Sequence, residues 1–345
     1  MKRTAVILLN LGGPDGQMAV RPFLFNLFND EAIIRLPKFF RFLTASLISR
    51  RREPVARAIY AKLGGGSPIL KNTQAQAEAL EKMLNTGEEI YKVFIAMRYW
   101  HPFAGQTARE VKKFAPDDIV LLPLYPQFST TTTKSSFDDW HIAAQRNSLI
   151  APVKKICCYP QQTGFIKALA TATRKAYDEA SAFGAPRVLF SAHGLPEKII
   201  RDGDPYQYQC GLTVEALKRE LNIENLDSTL CFQSRVGPLQ WITPATNDEV
   251  RRAAADKKPL VVVPIAFTSD HAETLVELDI EYRELARLNG APFYATVPAV
   301  GTAPDFIEGL ALLVRAAQNQ QKTCLSDKGA QLCPDNLLCP CTESR

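Results

Sequence analysis

The chain has 345 residues, too many for one typical domain and suited to two domains of about 100–200 residues each. Hydrophobic residues make up 46% and charged residues 22%, a globular composition that excludes a disordered chain. The formal net charge of +5 comes without a basic run, so nothing in the charge pattern indicates nucleic-acid binding.

The first apolar segment, residues 4–14, imitates a secretory signal peptide because basic residues precede a short hydrophobic run. The segment has no small-residue cleavage site, and it ends in a Gly-Gly-Pro turn as a buried strand does. No stretch approaches the 18–20 consecutive apolar residues that a membrane-spanning helix needs. We therefore expect the first strand of a cytoplasmic protein.

Short apolar runs of strand length recur along the chain and alternate with segments of helical periodicity. Continuous Val, Ile and Leu runs bounded by Gly and Pro are typical of strands buried on both faces, as in parallel sheets covered by helices. The alternation predicts an α/β fold. The predicted strands lie in residues 4–14, 93–100, 119–128, 153–160, 187–196, 229–238, 260–271 and 293–301.

The two halves of the chain resemble each other. In each half the first strand ends in a Gly/Pro turn, and the third contains a proline and ends in polar residues. The fourth is followed by Phe-Ile-x-x-Leu, at 165–169 and at 306–310. This order predicts two similar domains, residues 1–180 and 181–320, with a cysteine-rich tail at 321–345.

The first half carries an insertion, because its first two strands begin 89 positions apart, against 42 positions in the second half. The extra length includes residues 21–52, here called the lip segment, which are rich in Phe, Leu, Ile and Arg. Such a mixture suits a lip over an apolar ligand or a face that lies on a membrane, and it also suits a pair of core helices.

Polar side chains follow the predicted strands, where open α/β sheets bind their ligands. His193 closes a buried strand directly before a Gly-Leu-Pro turn, so we expect its ring to point into a cleft between the domains. A purely structural role for this histidine is the alternative. Other residues at these strand ends are Asn10, Arg98, Tyr99, Tyr125, Ser129, Gln233, Trp241, Asp270 and His271.

Residues 268–288 have the periodicity of a helix, with Ser269 or Asp270 as the expected N-cap. The acidic residues at 270, 273, 277, 281 and 284 step by three or four positions and therefore share one face. A solvated face is one interpretation. The other is a row of oxygen ligands that brings a divalent cation to His193 and Glu273. The repeat favours the cation, because it places the start of this helix beside His193.

Four of the eight cysteines lie in the last 22 residues, and Cys157 and Cys158 are adjacent. A long chain without a secretory signal is a poor candidate for a disulfide framework, so the tail cysteines indicate a metal site. A flexible tail with unrelated thiols is the alternative. The tail cysteines are Cys324, Cys333, Cys339 and Cys341.

Eight motifs span nearly the whole chain: NLGGPD (10–15), YAKLGGGSPI (60–69), AMRYWHPF (96–103), LYPQFSTTTTKSS (124–136), FSAHGLPE (190–197), GDPY (203–206), FQSRVGPLQWITPAT (232–246) and TSDHAETLVELDIEY (268–282). In content and order they resemble the ferrochelatases. The resemblance implies a lyase that inserts Fe²⁺ into protoporphyrin IX, the terminal step of haem synthesis. It also implies two Rossmann-like domains with parallel sheets and a porphyrin cleft between them.

The resemblance assigns roles by motif. His193 and Glu273 are the pair that binds the substrate iron and abstracts protons, and the lip segment is the apolar lip. Ala61 and Lys62 stand where some relatives have two arginines, which leaves one propionate contact open. Asp270, His271 and Glu277 are assigned to the cation path. The residues assigned to the porphyrin are Leu11, Arg98, Tyr99, Tyr125, Ser129 and Trp241.

Some ferrochelatases carry a two-iron two-sulfur cluster with three C-terminal cysteine ligands and one distant one, and four thiolates are the usual requirement. Cys333-x5-Cys339-x-Cys341 matches the C-terminal three. Animal-type members have the fourth in the LYPQ-S motif, where this chain has Thr130. We expect a bacterial arrangement with Cys157 or Cys158, and prefer Cys158 because neighbouring side chains of a strand point in opposite directions.

Three rival functions remain at the level of the sequence: a chelatase for coproporphyrin III, a cobalt chelatase for a sirohydrochlorin-type ring, and a two-domain protein that only binds a ligand. The apolar lip favours protoporphyrin IX, because coproporphyrin carries four carboxylates and needs a more basic mouth. A binding protein needs neither the acidic row nor the cluster. The expected partners are thus protoporphyrin IX, Fe²⁺ and, peripherally, the inner face of the cell membrane.

Overall fold

The computed structural model describes residues 1–234, 239–329 and 331–341. The chain divides into two units, each built on one parallel sheet. The first unit contains Met1–Cys158 and Ala311–Gly329, and the second contains Tyr159–Leu310 and residues 331–341. The predicted α/β fold with two parallel sheets is confirmed.

The first unit has five parallel strands: β1 (Arg3–Asn10), β2 (Ile90–Met97), β3 (Asp118–Pro123), β4 (Val153–Cys158) and β9 (Cys324–Ser326). Their order in the sheet is β2-β1-β3-β4-β9. The helices are a 3₁₀ turn (Gln17–Ala19), α1 (Val20–Phe28), α2 (Lys38–Ala61), α3 (Ile69–Leu84), α4 (Ala104–Phe114) and α5 (Thr133–Arg146). Ile7 and Leu9 on one face of β1 pack with Val111 and Trp140 from α4 and α5 in a buried core.

Within its described residues, the second unit has four parallel strands in the order β6-β5-β7-β8: β5 (Arg187–His193), β6 (Ser228–Gln233), β7 (Leu260–Pro264) and β8 (Tyr294–Thr296). Its helices are α6 (Thr163–Ser181), α7 (Glu197–Arg201), α8 (Tyr206–Leu221), α9 (Thr246–Ala255), a π-helix (Glu273–Glu281) and α10 (Tyr282–Leu288). Helix α11 (Pro304–Asn319) begins in this unit and ends in the first.

The strand order supports the internal repeat. Four strands of the first sheet, β2-β1-β3-β4, have the same order as the whole second sheet, β6-β5-β7-β8. Strand β9 has no counterpart among the predicted strands, because three residues leave too short an apolar pattern to detect. Residues 235–238, at the end of the sixth predicted strand, lie outside the described residues.

The division between the units falls at 158/159, whereas the repeat places it near residue 180. The difference concerns α6, which packs within the second unit. The rings of Phe165 and Phe306 lie 6.0 Å apart, and Lys167 pairs with Asp305 at 2.7 Å. In the repeat, α6 belongs to the first domain because it follows β4. By its contacts, α6 belongs to the second unit.

The end of α11 is tied to β4 inside the first unit. Lys154 Nζ donates to the carbonyl oxygens of Gln320 and Gln321 at 2.7 and 3.1 Å. A cation at these carbonyls complements the negative end of the helix dipole. The chain then runs on into β9, whose Cys324 is in parallel register with Lys155.

Most of the lip segment forms α1 and the first part of α2. Within α2, which is described throughout, Ala45 and Ser49 are the buried residues. Six of its large apolar side chains are exposed, so the interpretation as a pair of core helices does not fit α2. No described helix has both the length and the apolar character needed to span a membrane. The exposed apolar residues of α2 are Phe39, Phe40, Phe42, Leu43, Leu47 and Val55.

Candidate functional site

His193 and Glu273 are in direct contact in the second unit. His193 is the last residue of β5, and Glu273 is the first of the π-helix. Nδ1 of His193 donates to Oε2 of Glu273 at 2.9 Å, and Nε2 of His271 lies 3.9 Å from the same oxygen. The side chains of His193 and Glu273 keep 38% and 28% of their surface exposed. The predicted pair therefore forms a site open to a ligand.

The contact perturbs both pKa values. Burial alone would lower the pKa of His193, but the charge of Glu273 and the hydrogen bond raise it above the ordinary 6.5. Burial alone would raise the pKa of Glu273, but His193 lowers it to about 2. Glu273 is therefore a carboxylate throughout the physiological range, and His193 takes up or releases its proton beside a fixed negative charge.

The segment that carries Glu273 departs from the predicted regular α-helix. Residues Glu273–Glu281 form a π-helix, whose wider turn brings i and i+5 together. Ala272 occupies the N-cap without a side-chain hydrogen bond, so the predicted cap at Ser269 or Asp270 is wrong. Asp270 lies in the preceding loop and accepts from Ala299 N at 3.3 Å.

Glu277 lies four positions beyond Glu273 in the same π-helix and is hydrogen-bonded inside this unit. Its Oε1 accepts from Ser234 N at 2.9 Å and from the Tyr282 hydroxyl at 2.7 Å. Burial raises the pKa of Glu277. The hydrogen bonds from Ser234 and Tyr282 lower it, but each by less than burial raises it. The outer end of the acidic row differs, since Glu284 pairs with Arg287 on the surface. The row is thus an inner pair, Glu273 and Glu277, followed by solvated carboxylates.

Trp241 lies against the turn that follows His193. It forms an isolated antiparallel bridge with Pro196. A Cβ atom added to Gly194 would stand 3.3 Å from the Trp241 ring and 2.7 Å from the carbonyl oxygen of Gln233. Glycine is therefore required at 194, and the indole packs close to the His193 strand end.

In the first unit, Arg98 and Tyr99 follow β2 and share one partner, Asp30. Arg98 Nη2 lies 2.9 Å from Asp30 Oδ2, and the Tyr99 hydroxyl donates to the same oxygen at 2.7 Å. Tyr99 N also donates to Leu11 O at 3.0 Å, which joins the ends of β1 and β2. Sequence reasoning missed Asp30, because it is 68 positions from Arg98 and belongs to no recognisable spacing.

Tyr125 and Ser129 follow β3. Tyr125 is half-buried, and burial raises the pKa of its phenol. Ser129 is 1% exposed, and its hydroxyl is hydrogen-bonded to Thr131 Oγ1 at 2.8 Å and accepts from Thr131 N at 3.1 Å. Ser129 thus shapes the turn at the end of this strand.

Three tail cysteines lie together in the second unit. Cys333 and Cys341 hydrogen-bond the sulfur of Cys339 and lower its pKa, and all three are buried. Gln209 in α8 donates from Nε2 to Cys333 Sγ at 3.1 Å, and Leu338 N donates to Gly203 O at 2.8 Å. The tail is therefore packed on α8, and within it the Cys339 sulfur contacts two other thiols.

Cys157 and Cys158, at the end of β4, are fully buried with their sulfur atoms 3.4 Å apart. The expectation that their side chains point in opposite directions is therefore wrong. The reason is a register irregularity between Ile156 and Cys158 where β4 pairs with β9. Cys324 in β9 has its sulfur within 4.8 Å of the Cys157 sulfur. The first unit therefore places three thiols, those of Cys157, Cys158 and Cys324, near the end of β4.

The family model for ferrochelatase matches residues 3–318. The chain belongs to the ferrochelatase family. It is 51% identical to the ferrochelatase of Caulobacter vibrioides (strain NA1000 / CB15N), over 99% of this chain and 98% of the relative. It is also 48% identical to the ferrochelatase of Pelagibacter ubique (strain HTCC1062), over 98% of both chains.

Solved structures agree with the fold of this ferrochelatase family member. SirB from Bacillus subtilis with Fe³⁺ superimposes with a TM-score of 0.53 at 12% identity, over 92% of this chain and 96% of that one. DR2241 from Deinococcus radiodurans, described as structurally similar to chelatases, superimposes with a TM-score of 0.50 at 14% identity. The superposition covers 93% of this chain and 56% of that one. At such identities the likeness concerns the two-domain chelatase fold alone.

Proposed function

We propose that this protein inserts Fe²⁺ into protoporphyrin IX and releases protohaem, a lyase reaction that ends haem synthesis. Family membership supports the reaction, and one contact carries its chemistry: His193 Nδ1 to Glu273 Oε2, at 2.9 Å. Imidazole and carboxylate are both ligands for ferrous iron and both proton acceptors. The two groups therefore suit a reaction in which a metal enters as protons leave.

The reaction exchanges one Fe²⁺ for the two pyrrole N–H protons, so the charge of the macrocycle is unchanged. Neutral His193 accepts a proton on its imidazole, and Glu273 stabilises the imidazolium across their hydrogen bond. Because the pKa of Glu273 is lowered to about 2, its charge is also present to attract the incoming Fe²⁺. Asp270, His271 and Glu277 are proposed as the cation path and as acceptors that pass protons on.

The porphyrin site is proposed to be formed by Leu11, Arg98, Tyr99, Tyr125, Ser129 and Trp241. Aromatic rings suit the faces of a planar macrocycle, because offset stacking and area burial both favour them. Tyr99 and Ser129 are each 1% exposed, so Tyr99 is proposed to hold Asp30 and Ser129 to hold the turn beside Tyr125, rather than to contact the macrocycle directly.

An anaerobic insertion assay tests the proposal. Fe²⁺ and protoporphyrin IX should give protohaem, and porphyrin binding should quench tryptophan fluorescence. Coproporphyrin III with Fe²⁺, and a sirohydrochlorin-type ring with Co²⁺, are the competing substrates. Preferred turnover of either would replace the proposal, and quenching without turnover of any substrate would indicate a binding protein.

A two-iron two-sulfur cluster is the proposed cofactor. Three observations support it: the tail thiols of Cys333, Cys339 and Cys341 are buried, the sulfur of Cys339 contacts the other two, and Cys333 accepts a hydrogen bond from Gln209. Such a cluster supplies one-electron chemistry and holds its ligands together. We propose Cys158 as the fourth ligand, with its neighbours Cys157 and Cys324 as the alternatives that the sulfur positions raise.

We also propose that the protein is cytoplasmic and lies peripherally on the inner face of the cell membrane. The apolar side chains that α2 exposes support this, with Arg50 and Arg51 exposed on the same helix. Apolar groups at the depth of lipid headgroups and cations near anionic lipids each strengthen such binding.

A further inference from the structure

The carboxylate of Asp30 binds side chains from two elements of the first unit, the end of β2 and helix α5. Its Oδ2 contacts Arg98 Nη2 at 2.9 Å and accepts from the hydroxyls of Tyr99 at 2.7 Å and Ser135 at 2.6 Å. Arg98 Nε donates to Ser135 Oγ at 2.7 Å. Asp30 is 8% exposed and lies between α1 and α2, inside the lip segment.

This arrangement neutralises the positive charge of Arg98. Asp30 forms a short ion pair with the guanidinium, and Asp139 adds a second carboxyl with Oδ1 3.9 Å from Nη1. Burial raises the pKa of Asp139, although the positive charge of Arg98 acts in the opposite direction. Separating a largely buried ion pair leaves a charge without compensation, which is costly. The Arg98 guanidinium therefore stays paired with Asp30.

We propose that Asp30 is a specificity-determining residue: by neutralising Arg98, it makes this wall of the porphyrin site select a macrocycle edge without carboxylates. The inference rests on the proposed function, because it takes Arg98 as a porphyrin-lining residue. Protoporphyrin IX has carboxylates on two of its eight substituents, whereas coproporphyrin III has four. An unpaired guanidinium would favour the second substrate, because it binds carboxylates through charge-assisted, bidentate hydrogen bonds.

Two substitutions with opposite expected effects test the proposal. Asp30→Asn removes the negative charge at nearly constant shape and frees Arg98. We expect the ratio of kcat/KM for coproporphyrin III to that for protoporphyrin IX to rise about tenfold, the size of one charged hydrogen bond. Arg98→Gln leaves the Asp30 charge in place, so the same ratio should fall. A merely structural role for Asp30 would not move the ratio in opposite directions.

The double variant Asp30→Asn/Arg98→Gln should return the ratio toward that of the unaltered protein, because it removes both charges. Glu31→Gln is the matched control: it lies in the same loop, pairs with Arg41 and has 78% of its side chain exposed. It should leave the ratio unchanged. Circular dichroism and tryptophan quenching check that each variant is folded and binds porphyrin.

An unchanged ratio in folded Asp30→Asn would overturn the inference, and so would an equal rise in the double variant. If Asp30→Asn does not fold, an unchanged ratio in Arg98→Gln overturns it instead. The proposed function fails separately, since its failure means that the unaltered protein inserts no Fe²⁺ into protoporphyrin IX.

Discussion

At the scale of single residues, the contact between His193 and Glu273 sets the chemistry. Glu273 cannot be protonated in the physiological range, so it contributes a constant charge. Burial would lower the pKa of His193, but the charge of Glu273 and their hydrogen bond raise it. His193 is therefore the member of the pair that exchanges protons, beside a charge that stays constant.

Removing either member should reduce insertion much more than binding. We expect His193→Ala to abolish protohaem formation while porphyrin still quenches tryptophan fluorescence, because the imidazole acts on the protons and the metal. Glu273→Gln should lower kcat by roughly 10²–10⁴-fold, the usual range for an acid–base group. Glu281→Gln, an exposed carboxylate of the same π-helix, is the control and should be close to normal. Near-normal turnover of His193→Ala would contradict the assignment.

The charge of Glu273 should also be visible in the titration of His193. Because that charge raises the His193 pKa, Glu273→Gln should lower it, and the imidazole Cε1–H resonance should titrate at more acidic pH. The stabilising ion pair is complete below the unfolded histidine pKa of about 6.5 and is lost as pH rises through the folded value. At the acid end it is lost as pH falls toward about 2, where Glu273 takes up a proton. An unmoved His193 titration would rule out the coupling.

At the scale of elements, α2 is a long helix that leaves a row of large apolar side chains exposed. Phe25 of α1 contacts Phe42 with ring centroids 5.2 Å apart, so part of the aromatic set holds the two helices together. Phe39 and Phe40 remain 69% and 59% exposed. Exposed side chains of this size, next to one another, mark an interaction surface.

We expect Phe39→Ser/Phe40→Ser to weaken co-sedimentation with anionic liposomes by roughly tenfold or more, since burial of each ring in lipid is worth about 1.5–3 kcal/mol. High salt should release part of the unaltered protein by screening Arg50, Arg51 and Arg52. Ile150→Ser is the matched control, because Ile150 is 94% exposed but lies outside the lip segment. Equal losses in the two variants, or no sedimentation of the unaltered protein, would contradict the membrane proposal.

The elements themselves were largely predictable. Buried strands such as β1 and β7 are continuous apolar runs between Gly and Pro, and this local pattern identifies them. The π-helix was not predictable, because acidic residues at steps of three and four fit an α-helix equally well. Asp30, and the contacts that Ser234 and Tyr282 make with Glu277, were not predicted for another reason: the partners lie far apart in sequence or on different faces of one helical segment. Long-range hydrogen bonds leave no periodicity in a single chain.

At the scale of the whole molecule, the proposed cluster would link metal binding to folding. Its proposed ligands, Cys333, Cys339, Cys341 and a β4 thiolate, are not assembled in the unfolded chain, so the binding free energy of the cluster would become folding free energy. The second unit already holds the tail through Gln209 and Gly203. Loss of the cluster should therefore lower the melting temperature without dissolving either sheet.

We expect anaerobically purified protein to be reddish-brown, with charge-transfer absorption in the visible and about two irons per chain, as a two-iron cluster requires. Cys158→Ser should lose both colour and thermal stability, whereas Cys157→Ser should keep them. The opposite result would reassign the fourth ligand to Cys157, and loss of colour in Cys324→Ser alone would assign it to Cys324. Colourless, iron-free protein would exclude the cluster.

The placement of β9 has a consequence for folding during synthesis. The first sheet takes its edge strand from Cys324–Ser326, yet β4, which this strand covers, ends at Cys158. On the ribosome, the edge of β4 therefore stays without its partner while the intervening chain is made, for roughly 10–30 s at about 5–20 residues per second. An open strand edge is a template for pairing with other chains. The nascent chain is thus most exposed to aggregation, and most in need of chaperones, during the synthesis of its second half.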